Sequence, residues 1–585
     1  MSGKSFSIRK LWLELKRRKV LHVISVYASA AFVIIELINN LSDPLHLPDN
    51  LLTIVVIVLA VGFPLAVILS WLYDITSKGV ERTKPMTEDV EAEPVAVPNA
   101  WRIATYVSFV VIAALIVLNI VGLNKQAFAG SVKSLVILPF GNFTGDDQLE
   151  YFVSGMHSSM IGGMGQVGGL RVLGETSSNA YKDVDKPLPQ IATELNVDAA
   201  LESTVMCLGD TVCLQVKLVT AFPQEKQLWV GNYKEEKGKI MDLYNQIIKQ
   251  VASEVKIKLT PTELEQLTSQ DQHNPDLVEA VYKGSFHMNQ LTPEGVKLGI
   301  KFFDDAIAID PSDPMPYVGL AHGYSLAGHV SSVIPDAAER ALENARKALS
   351  IDSTLAEPYI VLASHALYTD WDFDLAERYL RRALDINQNL AMAHYHYGWY
   401  WMLSNNFEKA IGEFKISIEI DPMDVTYSCN LASIYIWIGM YEEGLEESLK
   451  ALELNPIYPM GLWALGSAYS GLGMYDKAIE TQKKGLAISP GFENGLAIAY
   501  ALSGQKDKAL EIAKELEGYN YPWYTWALAE IYAVLGDNDK AIHWIDEAVK
   551  QRQDFAPWFN SNIYFQPLFN DPRYQEIIAR IGLPG

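Results

Sequence analysis

Cysteine is nearly absent from this 585-residue chain, which has three. So few cannot build the disulfide framework of a small secreted domain, and none stands at zinc-finger spacing. Basic residues are outnumbered, with 47 Lys and Arg against 70 Asp and Glu and a formal charge of −23. That balance leaves no cationic face to displace counterions from phosphate, which excludes nucleic acid as a partner. Catalytic signatures are missing too: there is no HExxH, P-loop, GxSxG or kinase motif. Carboxylate pairs such as Glu446-Glu447 fall on helix faces that solvent would cover, and His394 and His396, two apart on a helix, point to different sides. No nucleophile–base pair emerges, so the reading is of a protein that is not an enzyme and takes no metal or cofactor.

What the chain does have is apolar content. It is 49% hydrophobic and 20% charged, a composition that folds, and its length allows roughly three to five domains. The mean hydropathy of +0.06 is high for a soluble protein. Three stretches near the N-terminus reach the ~20 residues that cross a bilayer: 21–41, 51–73 and 103–123. A basic segment, 1–20, precedes the first, with Arg9, Lys10, Lys16, Arg17, Arg18 and Lys19. The loop SDPLHLPDN has no Lys or Arg, whereas the linker 74–102 carries Lys78, Arg82, Lys84 and Arg102. This asymmetry predicts three transmembrane helices in a lipid bilayer, with the N-terminus and the linker cytoplasmic and everything after Leu123 on the far side. His22 and Glu36 sit near the ends of the first span, and Gly62 and Pro64 predict a kink in the second. The first 130 residues carry 12 Lys and Arg against 10 Asp and Glu, and the remaining 455 carry 35 against 60. The far-side body is therefore strongly acidic.

Residues 131–259 alternate strand and helix patterns. Ser134–Phe140 reads as a buried strand, 148–160 as a helix, 170–174 as a strand and 187–196 as a second helix. Ala199–Cys207 and Thr211–Thr220 form a hairpin, followed by the strand QLWVGNYK and an amphipathic helix over 240–259. The sum is an α/β domain. Gly163 to Gly168 match GxGxxG, but they follow a helix and precede a strand. A phosphate site needs the reverse order, so the glycines read as a helix end. Cys207 and Cys213 flank the hairpin turn. A two-residue turn puts them on opposite faces, and a three-residue loop puts them opposite each other. The alternation of Val212, Leu214, Val216 and Leu218 favours the two-residue turn, and the bond stays open.

The ordered series Leu138–Phe140, Asn142, Glu150-Tyr151-Phe152, Gly155, Leu170-Arg171-Val172, Thr176-Ser177-Ser178, Ala180-Tyr181-Lys182, Glu194–Asp198 and Leu201-Glu202 resembles the TolB-like (FlgO-like) domain. The resemblance covers about Ser131 to Leu259. Ser154 and Ser203 depart from it, replacing an acidic residue and a glycine. Such domains occur in bacterial membrane proteins between a transmembrane helix and tetratricopeptide repeats.

Beyond about Leu277 the chain repeats itself. Gln388, Pro422, Pro456 and Pro490 close units at intervals of 34, and Ala376, Ala410, Gly444 and Ala478 stand twelve residues before them. This is the tetratricopeptide pattern, with about eight units over 277–554 and a capping segment over 555–585. An insertion is expected around Val330–Ala337, and the seventh unit is short. The concave groove of such an array is lined by first-helix side chains. Tyr395, Trp399 and Met402 are its candidate partner-binding residues in the fourth unit, Ser433 in the fifth, and Trp463 and Ser467 in the sixth.

The whole chain resembles a bacterial inner-membrane tetratricopeptide-repeat protein with a TolB-like domain. The expected fold class is multidomain: N-terminal α-helical transmembrane segments, an α/β TolB-like domain and an all-α repeat solenoid. The expected function is a membrane-anchored scaffold, adaptor or sensor that binds protein or peptide partners in the periplasm. Neither cytoplasmic segment is large enough for an output module of the kind such relatives carry. The alternative is small-ligand or nucleotide binding by the TolB-like domain as part of a signalling protein.

Overall fold

The computed structural model describes residues 132–584, apart from breaks at 223–224, 268–273, 291, 331–333, 335 and 520–521. It also describes 51–82 except 77–78, and scattered positions between 20 and 38. The chain divides into two compact units, Met1–Gly130 and Ser131–Gly585.

In the first unit, helix α1 (Leu51–Leu72) runs into a hairpin of β1 (Tyr73–Thr76) and β2 (Gly79–Arg82). Among the described residues, no helix is long and apolar enough to cross a membrane. For the described residues, the expected transmembrane fold class and its bilayer partner are corrected accordingly. Hydropathy records that a segment avoids water, and a helix packed on protein does this as well as one in lipid. In α1, Val55 is buried, Leu59 offers its carbonyl to the Tyr27 hydroxyl at 2.7 Å and Phe63 meets the Tyr27 ring edge-on, while Ile54, Val56, Ile57 and Val58 are exposed. Pro64 also interrupts the helix's own hydrogen bonding. Span 103–123 and much of 21–41, with His22 and Glu36, lie outside the described residues.

The second unit begins with a sheet. Its strands are β3 (Ser134–Ile137), β4 (Gly141–Asn142), β5 (Arg171–Val172), β6 (Ala199–Leu208), β7 (Thr211–Thr220) and β8 (Lys226–Glu236), in the order β5-β3-β6-β7-β8 with β4 beside β6. Strand β3 runs parallel to both neighbours, and β6, β7 and β8 are antiparallel. Helices α2 (Glu150–Gly165), α3 (Glu175–Asn179), α4 (Leu188–Glu194) and α5 (Ile240–Glu254) cover the sheet. Leu135 and Ile137 join the core beneath α2 and α5, while Val136 packs with Ile191 of α4. Burial on both faces explains why β3 is continuously apolar. The GxGxxG glycines end α2, as their context predicts.

The hairpin between β6 and β7 corrects the preferred register at the cysteines. From Ala199 opposite Thr220 to Val205 opposite Leu214, the pairing is that of a two-residue turn. A bulge between Val205 and Cys207 then shifts the register by one, and Cys207 faces Cys213 in a disulfide. One extra residue reverses the facing of every later position in the strand, and side-chain alternation does not announce it.

After α6 (Pro261–Gln266), helices stack in pairs. They are α7 (Pro275–Met288) with α8 (Pro293–Ile309), α9 (Met315–Val330) with α10 (Ala337–Ile351), and α11 (Glu357–His365) with α12 (Phe373–Ile386). Next come α13 (Ala391–Leu403) with α14 (Phe407–Ile420), α15 (Val425–Trp437) with α16 (Tyr441–Leu454), and α17 (Pro459–Gly471) with α18 (Tyr475–Ile488). The last are α19 (Glu493–Leu502) with α20 (Lys506–Leu516) and α21 (Pro522–Leu535) with α22 (Asn538–Lys550). Small residues set the spacing within pairs: a Cβ on Gly398 would lie 2.4 Å from the Phe414 ring, and Ala376, Ala410 and Ala478 are fully buried.

The first pair is part of the sheet region's core. The Tyr282 ring of α7 lies 5.0 Å from Phe152 of α2, and its hydroxyl is 2.9 Å from that of Tyr244 in α5. One apolar cluster runs from Leu135 to Phe303. The loops that close later units clasp the other edge. Asn389 donates to the Gly165 and Leu170 carbonyls and accepts from the Val172 amide, and the Gly174 amide donates to the Ile420 carbonyl. Asp421 accepts the Ser177 amide at 2.7 Å and the Ser177 hydroxyl. Burial lifts the Asp421 carboxyl to about 6 despite those donors.

Candidate functional site: a filled concave groove

Two columns of side chains recur on the first helices. One runs through Tyr395, Cys429, Trp463, Asn494 and Trp526, and the other, one turn later, through Trp399, Ser433, Ser467, Ile498 and Glu530. Tyr395 is half-buried against Phe414 and Tyr427, and burial pushes its phenol up to about 12. Trp399 is 3% exposed and meets Phe414 and Trp437 edge-on. Met402 is fully buried. Ser433 donates to the Cys429 carbonyl at 2.8 Å, and Ser467 accepts from Gln482 at 3.3 Å. Trp463 is buried beside Phe492, and its indole N–H has no partner. The six expected residues thus lie along one face of the array, but none presents an open side chain.

The segment after α22 explains the burial around Trp399 and Met402. Two short 3-10 turns, Ala556–Ser561 and Ile563–Leu568, lead into α23 (Pro572–Ala579). Trp558 donates to the Trp399 carbonyl at 2.9 Å, and Ser561 to the Met402 carbonyl at 2.6 Å. The Trp558 ring meets Trp399 and Tyr368, and Phe559 stacks on Trp526 at 4.4 Å. Trp526 stacks in turn on Trp437. Glu530 is enclosed: Asn494 donates to one oxygen at 2.6 Å and Asn562 to the other at 2.7 Å. Burial raises its carboxyl to about 7. The chain's own aromatic segment therefore crosses from the eighth pair to the fourth.

Sequence reasoning missed Asn494, Trp526 and Glu530, although a signal existed. They occupy the Tyr395 and Trp399 positions in the seventh and eighth pairs. The short seventh unit breaks the 34-residue step that would have led to them.

A second concavity, about 680 Å³, opens where β3 ends, with Pro139, Phe140, Glu150, Tyr181, Lys182 and Glu202 in its lining. Carboxyl ends of parallel strands are common ligand sites in α/β sheets. Its two lysines are already paired, Lys182 with Glu150 at 2.5 Å and Lys186 with Glu194 at 2.9 Å. Asp147, Asp183 and Glu202 add negative charge, so the site is poorly suited to a nucleotide phosphate. His157, buried behind it, bonds to the Ile137 carbonyl and Ser178, and burial lowers its basicity.

Residues 362–424, 425–458 and 461–492 match family models described as tetratricopeptide repeat. This stretch consists of tetratricopeptide repeats. Among curated proteins, the chain is 23% identical over 233 residues to a putative adenylate cyclase 3 of Rhizobium meliloti (strain 1021), covering 39% of each. It is 21% identical over 343 residues to the transcriptional regulator HilA of Salmonella typhimurium, covering 57% of this chain and 58% of that one. It thus spans less than two thirds of the length of either relative. Similar solved structures include Pseudomonas aeruginosa pilF, at 19% identity and a TM-score of 0.26, over 46% of this chain and 98% of that one. YrrB, a TPR protein with an unusual peptide-binding site, is similar at 22% identity and a TM-score of 0.25, over 32% and 92%. The type IV pilus biogenesis factor PilW is similar at 18% and 0.30, over 35% and 91%. Arrays of tetratricopeptide repeats in general present extended concave surfaces suited to protein interaction.

Proposed function

We propose that this protein is a non-enzymatic scaffold, adaptor or sensor that binds a protein or peptide segment in the concave groove of its repeats, in the periplasm of a bacterium. One observation carries the reading: the groove already holds a stretch of polypeptide, residues 556–568, through backbone carbonyls and stacked rings. Tyr395, Trp399, Met402, Ser433, Trp463 and Ser467 are proposed as its partner-facing set, with Trp437, Asn494, Trp526 and Glu530 added. The Cys207–Cys213 disulfide supports an oxidising compartment. The likeness of 131–259 to a TolB-like domain is kept as part of this proposal. The concavity at the end of β3 supports a second reading, a small polar ligand held by the sheet region.

Photo-crosslinking in the source cell tests the main reading. A crosslinking residue at Tyr395 or Trp463 is expected to trap a discrete partner, whereas one at exposed Leu449 on α16 is not. Equal trapping from both faces would refute the groove as the binding site.

A further inference from the structure

The occupant of the groove reveals what the groove reads. Residues 558–565 run Trp-Phe-Asn-Ser-Asn-Ile-Tyr-Phe. Trp558, Phe559 and Phe565 are fully buried among Trp399, Trp526 and Tyr368. Three residues after Phe559, Asn562 places its carboxamide on the buried Glu530 carboxylate, whose other oxygen is held by Asn494. Rings supply contact area at little rotamer entropy, and the carboxylate selects a donor at one fixed distance from them.

The fit is incomplete. Along the same face the indole N–H groups of Trp437 and Trp463, the Asn494 carbonyl oxygen and the Tyr564 hydroxyl are buried without partners. Each such group destabilises the filled state, so a segment that satisfied the two indoles and Asn494, and carried no unpaired hydroxyl in place of Tyr564, would bind better than the present occupant. The occupant instead gains from its tether, which gives it a high effective concentration.

We propose that residues 555–568 are a tethered competitor, and that the groove's ligand is a partner protein's segment with an aromatic pair followed three residues later by a carboxamide that Glu530 accepts. This rests on the groove being the partner site. Glu530 is the specificity residue, and the tail sets a threshold that a partner must exceed.

The test uses the full chain and a labelled synthetic peptide, Phe555 to Leu568, followed by fluorescence anisotropy. Wild type is expected to bind the peptide weakly. Asn562→Ala, and separately Trp558→Ala with Phe559→Ala, should keep the helical circular dichroism and bind it at least tenfold more tightly. A peptide with alanine in place of Asn562 should lose at least tenfold. If both variants lose helical signal, the tail is a structural cap and the proposal fails. It fails equally if folded variants bind no better than wild type, or if they exchange tails in a dimer. Crosslinking from Tyr395 without peptide binding would leave the groove reading standing and sink this one. Absence of both would sink both.

Discussion

The repeat array is joined to the rest of its unit in two places, each with a buried carboxylate. Where the sheet region meets the repeats, an apolar core runs without a break from β3 into α8, and at the other edge Asp421 receives a backbone amide and a hydroxyl from Ser177. Where the tail meets the groove, Glu530 receives two carboxamides, and four buried polar atoms nearby have no partner. Both apolar cores are continuous, and the junctions differ in that the first is satisfied while the second is aromatic, held through 3-10 turns, and imperfectly matched. A joint of the first kind unfolds with its neighbours. One of the second kind can open while they stay folded.

The largest expected effect breaks the first junction. Tyr282→Ala removes a buried ring between α2, α5 and α7, and should lower stability by about 3–5 kcal/mol. Sheet and repeats should lose structure together in urea, followed by near- and far-ultraviolet circular dichroism. If the sheet melted first while the repeats kept their midpoint, the shared core would not couple them.

Acidity separates the two carboxylates. Asp421 is raised from an ordinary 3.8 to about 6 and Glu530 from 4.5 to about 7, both chiefly by burial. The folded protein holds these protons to higher pH than the unfolded chain. Stability should therefore be greatest near pH 4 and fall as pH rises to about 7, by on the order of 3 kcal/mol for each group. Asp421→Asn should flatten the lower part of that slope and Glu530→Gln the upper part, in denaturant midpoints measured across pH. An unchanged slope in either variant would remove that residue from the account.

Opening the Cys207–Cys213 bond sharpens the contrast by touching neither junction. It closes a short loop, so Cys207→Ser with Cys213→Ser should cost at most about 2 kcal/mol. Exchange protection should fall only near the ends of β6 and β7. The smallest effect has the opposite sign. The Ser203 hydroxyl is buried without a partner, so Ser203→Ala should stabilise by about 1 kcal/mol or less, seen as a higher urea midpoint.

How far the sequence carried depends on range. The repeat helices were legible because Gln388, Pro422, Pro456 and Pro490 mark a fixed step, and β3 because its apolar run is short and bounded. The bulge before Cys207 was not legible, since one extra residue leaves the alternation on either side intact. The apolar stretch at 51–73 could be read only as avoiding water, not as what replaces it. In the groove, the Tyr395 and Trp399 columns followed from helical spacing. The contact of Trp558 with Trp399 joins positions 159 residues apart, and no local pattern encodes it.

That long contact changes what kind of folding object the array is. A solenoid whose units touch only their neighbours loses order from the ends inward, one unit at a time. A chord from the eighth pair to the fourth converts the intervening stretch into a closed loop of contacts. While the chord is in place, pairs four to eight should melt as one block; when it is released, they should fray like an open stack.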